Sequence, residues 1–164
     1  MKIIGKWAAL AAALFVLQTS FMTRLAYHGV TVDFMLLLTV SFAFLRGSRQ
    51  GAFMGFMVGL MQDLATGTYF GVNTLTRALI GWLFGKFSDR VFKEQFFLPV
   101  LASVGVTILN YFILALIMVL LGYRFNLEHH MQQMLLPMLV YQLAFAYPVH
   151  YLVYRVDKRL SEQK

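Results

Sequence analysis

Residues 96–122 read FFLPVLASVGVTILNYFILALIMVLLG, and Asn110 is their only strongly polar residue. About 20 consecutive apolar residues are enough for a helix to cross the hydrocarbon core of a bilayer, so this stretch predicts a transmembrane helix. Over all 164 residues, 60% are hydrophobic and 13% are charged, a balance that a water-facing surface does not accommodate. We therefore expect an integral membrane protein with short connections and no soluble catalytic domain.

Further apolar runs lie on both sides of this stretch, separated by short polar turns. The predicted spans cover about residues 7–27, 31–45, 51–65, 74–87, 96–122 and 134–154. The sequence thus predicts an all-α bundle of about six transmembrane helices that forms a single domain over residues 1–164. We expect Pro137 to mark the entry of the last span and Pro148 to kink it, with a charged tail from Asp157 onward.

The positions of the basic residues predict the orientation of the bundle. On one side of the predicted membrane lie Lys2, Lys6, Arg46, Arg49, Lys86, Arg90, Lys93, Arg155, Lys158, Arg159 and Lys164, and on the other lie only Arg24, Arg77 and Arg124. Basic residues concentrate on the cytoplasmic side of membrane proteins. We expect a multi-pass protein of the bacterial inner membrane with both termini in the cytoplasm. The net charge of +7 is then explained by basic residues that orient the protein and contact anionic membrane lipids. We expect no nucleic acid as partner.

Glycines recur at four-residue spacing on the third and fourth predicted spans. Gly51, Gly55 and Gly59 share one helix face, and Gly81 and Gly85 repeat the spacing on the next helix. Faces of this kind allow two helix backbones to approach closely. The pattern favours close packing within the chain, and an interface in a homodimer or with another protein is the alternative.

Three ionisable residues lie inside or near the predicted membrane, where charge is costly and needs a partner. They are Asp33, Asp63 and Arg77. The spacing makes an ion pair between Asp63 and Arg77 sterically plausible, and Asn73 is well placed to cap the fourth helix by accepting backbone N–H bonds. Such a pair either holds a loop between two helices near the outer surface or forms a site for a ligand or partner.

The sequence contains no recognisable catalytic arrangement. Ser, His and Asp do not converge in a known motif, and neither a phosphate-binding glycine loop nor a pair of metal-binding histidines is present. The absence of cysteine excludes thiol chemistry. We therefore expect a protein that is not an enzyme and that needs no cofactor.

Two stretches resemble a known family. Asp33 opens a Leu-rich second span, which a basic turn and a glycine-rich third span follow. The second stretch has the pattern D-L-x-x-G-x-x-x-G-x-N, matched by Asp63, Leu64, Gly67, Gly71 and Asn73. In both features, and over nearly its full length, the chain resembles the rod shape-determining protein MreD of bacteria. It departs from the family pattern at Val32 and at Tyr69-Phe70, where many relatives have proline and a proline-leucine pair.

The resemblance implies a non-catalytic membrane component of the cell-elongation machinery. Its partners would be the single-span periplasmic scaffold MreC and the enzymes that synthesise peptidoglycan. The family is also similar in fold to the substrate-binding subunits of energy-coupling-factor vitamin transporters, so a vitamin-binding transporter subunit is the leading alternative. A lipid-processing enzyme is a further alternative, and it would need a nucleophile or paired acids near the interface, such as Asp33 and Asp63 if they converge.

Overall fold

The computed structural model describes residues 2–21, 24, 26, 30–67, 70–88, 97–120, 122 and 135–162. In these residues the chain forms α-helices and no strand, in the order α1 Lys2–Val16, α2 Phe34–Arg46, α3 Ser48–Thr66, α4 Val72–Gly85, α5 Phe97–Leu120 and α6 Leu136–Ser161. A π-helical turn, Leu17–Phe21, continues α1. The prediction of an all-helical protein is confirmed for this part of the chain.

Helix α2 lies at the centre of the bundle. Every residue from Phe34 to Leu45 is buried, and the helix packs against each of the other five. A helix that is hydrophobic on all sides requires such an environment. Its 13 residues span only about 20 Å, less than the ~30 Å of a hydrocarbon core. The apolar character of α2 is therefore explained by its enclosure in protein.

Helices α5 and α6 are the two described helices that are long and apolar enough to cross a membrane. The apolar window of α5 is Val100–Ile117, and that of α6 is Leu136–Ser161. Only 28% of each window is buried, whereas the core helix of a soluble protein is mostly buried. Phe53 and Leu64 on α3 and Leu75 on α4 are also largely exposed. An apolar exterior of this extent is typical of a surface that contacts lipid.

Helices α1 to α4 alternate in direction. Trp7 near the start of α1 packs edge-on against Phe42 near the end of α2, with ring centroids 4.7 Å apart. Gly47, with a φ of 86°, alone connects α2 to α3. Gly85 at the end of α4 lies against Ser48 at the start of α3. The start of α1, the α2–α3 turn and the end of α4 therefore lie at one end of the bundle.

The end of α6 joins them there. Arg46 Nε, at the end of α2, donates to Asp157 Oδ1 at 2.5 Å. Residues 157–161 of the predicted charged tail continue α6 as a helix, and this ion pair attaches them to α2. Pro137 lies in the first turn of α6, as expected for a helix entry, and Pro148 lies inside the helix.

The bundle thus has two ends of different charge. The one just described, which we call the basic end, carries Lys6, Arg46, Arg49, Lys86, Arg155, Lys158 and Arg159. The opposite end, which we call the acidic end, contains Asp33, Asp63 and Arg77. This grouping agrees with the count of basic residues, while the side that faces the cytoplasm stays a prediction. Positions 90 and 93 and the predicted outer loop 123–133 lie outside the described residues.

Helices α3 and α4 pack backbone against backbone. All five glycines of the repeated pattern lie in this contact: Gly51, Gly55, Gly59, Gly81 and Gly85. A Cβ atom added to Gly55 would collide with the carbonyl group of Arg77, and one added to Gly59 would lie 2.5 Å from the Cα of Thr74. Of the two alternatives that the sequence left open, this face is therefore used for packing within the chain.

Candidate functional site

The candidate functional site is the polar network at the acidic end, and Asp63 is its most highly connected member. Asp63 is completely buried in the last turn of α3. Its Oδ2 accepts hydrogen bonds from Gly71 N at 3.0 Å, Thr74 N at 2.9 Å and Thr74 Oγ1 at 2.6 Å. Its Oδ1 accepts from Asn73 N at 3.2 Å and Asn73 Nδ2 at 2.9 Å. Both carboxylate oxygens are thus occupied by donors at the start of α4.

This arrangement caps α4 from a neighbouring helix. The first N–H groups of a helix have no acceptor within it and carry partial positive charge, so a carboxylate is favourable there. Gly71, the residue that precedes α4, has a φ of 93° and no side chain that could cap the helix. Gly67, with a φ of 64°, ends α3 and donates to the backbone carbonyl of Asp63 at 3.0 Å. Both glycines adopt the left-handed backbone conformation that glycine tolerates best.

The predicted capping role of Asn73 is wrong. Helix α4 begins at Val72, so Asn73 already lies inside the first turn. Its side-chain amide donates a hydrogen bond to Asp63 and does not cap the helix. Asn73 therefore belongs to the site as a donor that orients the carboxylate.

The predicted ion pair between Asp63 and Arg77 is also wrong. Arg77 Nη2 donates to Asp33 Oδ2 at 2.7 Å, and both side chains are almost fully buried. Two features explain this choice of partner. Asp63 already accepts five hydrogen bonds from the start of α4, and α2 runs in the same direction as α4, which places Asp33 beside Arg77.

Asp33 has two further structural roles at the start of α2. Its Oδ1 accepts from Leu36 N at 2.9 Å, the bond of a helix N-cap. Its backbone carbonyl accepts from Gln142 Nε2 of α6 at 3.4 Å. Asp33 therefore connects α2 with α4 through its side chain and with α6 through its backbone.

Gln18 completes the start of α2 from the side of α1. It lies in the π-helical turn, and its Oε1 accepts from the backbone N–H groups of Phe34 at 3.0 Å and Met35 at 3.4 Å. Together with Asp33 it satisfies three of the N–H groups that have no acceptor within α2. Four helices, α1, α2, α4 and α6, are thereby joined at one point.

Gln18 and Gln142 are site residues that the sequence prediction missed. An uncharged amide attracts less attention than a charge, although it also needs partners when buried. Gln142 is completely buried in the middle of the last predicted span, among apolar residues. That isolation in an apolar span was the available signal.

The network does not use all its hydrogen-bonding groups. The buried Nε and Nη1 of Arg77 and Oε1 of Gln142 have no hydrogen-bond partner among the described residues. Within the described part of the chain, one carboxylate, that of Asp33, is therefore both the charge partner and the hydrogen-bond acceptor of the Arg77 guanidinium.

The two carboxylates of the site have separate roles. Asp33 binds groups of α2 and α4, and Asp63 binds groups at the start of α4. The two carboxylates thus share no hydrogen-bond partner among the described residues. What the arrangement does chemically is neutralise helix ends and hold helices together.

A family comparison agrees with this picture. The family model described as rod shape-determining protein MreD matches residues 1–157 of the 164-residue chain. The chain belongs to the MreD family. Rod shape determination is the role of MreD proteins, which are membrane proteins and generally not catalytic. No curated protein and no solved structure gives a significant match, so the likeness to energy-coupling-factor subunits stays a prediction.

The geometry gives a physical reason for the spacing of the D-L-x-x-G-x-x-x-G-x-N stretch of this MreD chain. Asp63 lies in the last turn of one helix, Gly67 and Gly71 adopt left-handed conformations in the turn that follows, and Asn73 lies in the first turn of the next helix. The separation of eight positions between Asp63 and Gly71 brings the N–H groups at the start of α4 back to the Asp63 carboxylate.

Proposed function

We propose that the chain is a non-catalytic membrane scaffold of the bacterial cell-elongation complex. In this role it binds an MreC-type single-span periplasmic scaffold and organises the enzymes of peptidoglycan synthesis. Membership of the MreD family supports the proposal, and one geometric observation carries it further. The buried charges at the acidic end hold α2, α3 and α4 together, so they stabilise one fixed arrangement of these helices, as a scaffold requires.

We further propose that the chain is a multi-pass protein of the inner membrane with both termini in the cytoplasm. The clustering of basic side chains from α1, α3, α4 and α6 at one end supports this orientation. The acidic end would then face the periplasm, where an MreC-type partner has most of its chain. A homodimer, if it forms, would use a surface other than the glycine face, which α4 occupies.

The test is purification of the tagged chain from its native host in a mild detergent, with mass spectrometry of the proteins that accompany it. An unrelated multi-span membrane protein with the same tag is the control for nonspecific capture. We expect enrichment of a single-span periplasmic scaffold and of cell-wall synthesis enzymes. An ATPase pair with a coupling subunit, or a bound vitamin, would contradict the scaffold and support a vitamin-binding transporter subunit.

A cell-shape assay tests the same proposal independently of detergent. Depletion of the chain in its host should turn rods into spheres, and re-expression of the wild type should restore them. Restoration by a variant that no longer captures the periplasmic scaffold would argue against the proposed partner.

A further inference from the structure

A groove of about 860 Å³ lies between α1 and α3 on the outside of the bundle. Helix α1 lines it with the small side chains of Ala8 and Ala11, and α3 lines it with Met54, Met57 and Met61. Apart from its basic end, the lining is almost entirely apolar. Methionine side chains are flexible and adapt to irregular apolar shapes, so this wall suits a flexible apolar ligand.

The chemistry of the groove changes at the basic end of the bundle. Arg46, Arg49 and Gln50 line it there. Arg49 is exposed and has no acidic partner among the described residues, whereas Arg46 also pairs with Asp157. Arg49 lies in the first turn of α3, which has no side-chain cap, so the helix end adds partial positive charge. A negatively charged group is therefore favoured at this end of the groove.

The length of the groove distinguishes between a lipid and a transmembrane helix of another protein as its occupant. Arg49 and Met61 are 12 residues apart on one helix, a distance of about 18 Å. One leaflet of a bilayer contributes about half of a ~30 Å hydrocarbon core. The apolar wall below the arginines thus matches the depth of one leaflet, whereas a transmembrane helix of another protein would need contact through both.

We propose that this groove binds a single anionic phospholipid, with its phosphate at Arg49 and Arg46 and an acyl chain along the three methionines. The inference rests on the proposed function only in placing the basic end at the membrane surface. Anionic lipids are attracted by basic residues at that depth, and the groove adds an apolar surface that holds one molecule in place. The lipid would fill the space between α1 and α3 and so stabilise the position of α1.

The test uses the full-length chain in nanodiscs made of equal parts phosphatidylglycerol and phosphatidylethanolamine. After transfer to mild detergent, native mass spectrometry counts the lipids that each chain retains. We expect one retained phosphatidylglycerol in the wild type. R49Q should retain it at least about fivefold less, since one basic residue near the surface has an effect of this order. A8W should also lose it, because the indole would occupy the groove.

Two matched controls distinguish a specific lipid site from a general effect of lost positive charge or of added side-chain bulk. R155Q removes a charge from another exposed residue of the basic end, and A9W adds bulk to the neighbouring exposed alanine, which does not line the groove. Both should retain the lipid as the wild type does. If A8W does not fold, the comparison of R49Q with R155Q decides alone.

Three outcomes would overturn the proposal. They are retention of no lipid by the wild type, equal retention of phosphatidylethanolamine, and equal lipid loss in R49Q and R155Q. The A8C variant places a cysteine in the groove. If a co-purifying protein, and not lipid, protects this cysteine from a thiol reagent, the groove binds a partner helix and the proposal is likewise overturned. The three lipid outcomes do not depend on capture of a periplasmic scaffold, so failure of the lipid site and failure of the proposed function remain distinguishable.

Discussion

At the scale of single residues, the stability of this bundle depends on how each buried charge is neutralised. Arg77 and Asp33 form an ion pair whose side chains are 2% and 11% exposed, whereas those of Arg46 and Asp157 are 23% and 13% exposed. Removing one member of a buried pair leaves an uncompensated charge, which costs more than losing a pair that water can reach. The two pairs should therefore respond differently to mutation.

The first prediction concerns Arg77. R77M should lower the free energy of unfolding by about 3–5 kcal/mol, because Asp33 remains buried without its partner. R46M at the basic end should lower it by at most about 1 kcal/mol. Unfolding of the purified variants in detergent measures both. In double variants, D33N should recover part of the loss in R77M, and D63N should add to it. Recovery by D63N instead would contradict the observed pairing.

The second prediction concerns Asp63. D63N keeps one acceptor oxygen and replaces the other with a donor, so two or three of the five hydrogen bonds to α4 are lost. We expect a loss of roughly 1–3 kcal/mol and faster hydrogen exchange at the amides of Asn73 and Thr74. N73A, which removes only the side-chain bond, should have a smaller effect. Equal exchange in the wild type and D63N would refute the cap.

At the scale of helices, the contact between α3 and α4 depends on the absence of side chains. Gly55 lies against the backbone of Arg77, so even a methyl group must separate the two helices. Gly105 on α5 has open space around it and offers a matched comparison. Close-packed interiors tolerate little added volume, so a larger side chain there destabilises the protein. Replacement of an exposed helical glycine by alanine instead stabilises the helix, because alanine has the higher helix propensity.

The third prediction follows from this difference. G55A should destabilise the bundle by about 1–3 kcal/mol, and G105A should stabilise it by up to about 1 kcal/mol. Thermal unfolding in detergent provides the measurement. A neutral G55A would mean that α3 and α4 are not packed as closely as described.

The helices and the glycine contact were predictable because they depend on local pattern. Apolar runs and a four-residue glycine repeat lie within single helices, and the predicted spans coincide in large part with α2 to α6. The partner of Arg77 was not predictable in this way. Asp63 is nearer to Arg77 in sequence than Asp33 is. Arg77 pairs with Asp33 because α2 and α4 run in the same direction and because the carboxylate of Asp63 already accepts hydrogen bonds from the N–H groups of α4.

At the scale of the whole molecule, the two ends of the bundle have different chemistry. The basic end carries exposed cations, whereas the acidic end contains buried and paired charges. Under the positive-inside rule this asymmetry favours the proposed orientation, with the basic end in the cytoplasm.

The fourth prediction tests that orientation. The chain has no cysteine, so a single introduced thiol gives an unambiguous signal. With a thiol reagent that does not cross membranes, F70C at the acidic end should be labelled in intact spheroplasts. S161C at the basic end should be labelled only after lysis. The opposite pattern would reverse the proposed orientation.

The bonds of the acidic and basic ends also differ in the length of chain that they close, which sets an order of assembly during synthesis. Asp63 reaches Gly71 and Thr74 over 8 to 11 residues, Arg77 reaches Asp33 over 44, and Arg46 reaches Asp157 over 111. Contacts between nearby residues generally form faster than distant ones. The α3–α4 hairpin can therefore close while α5 and α6 are still being translated. The central helix then gains its charge partner, and the arrival of α6 finishes the bundle.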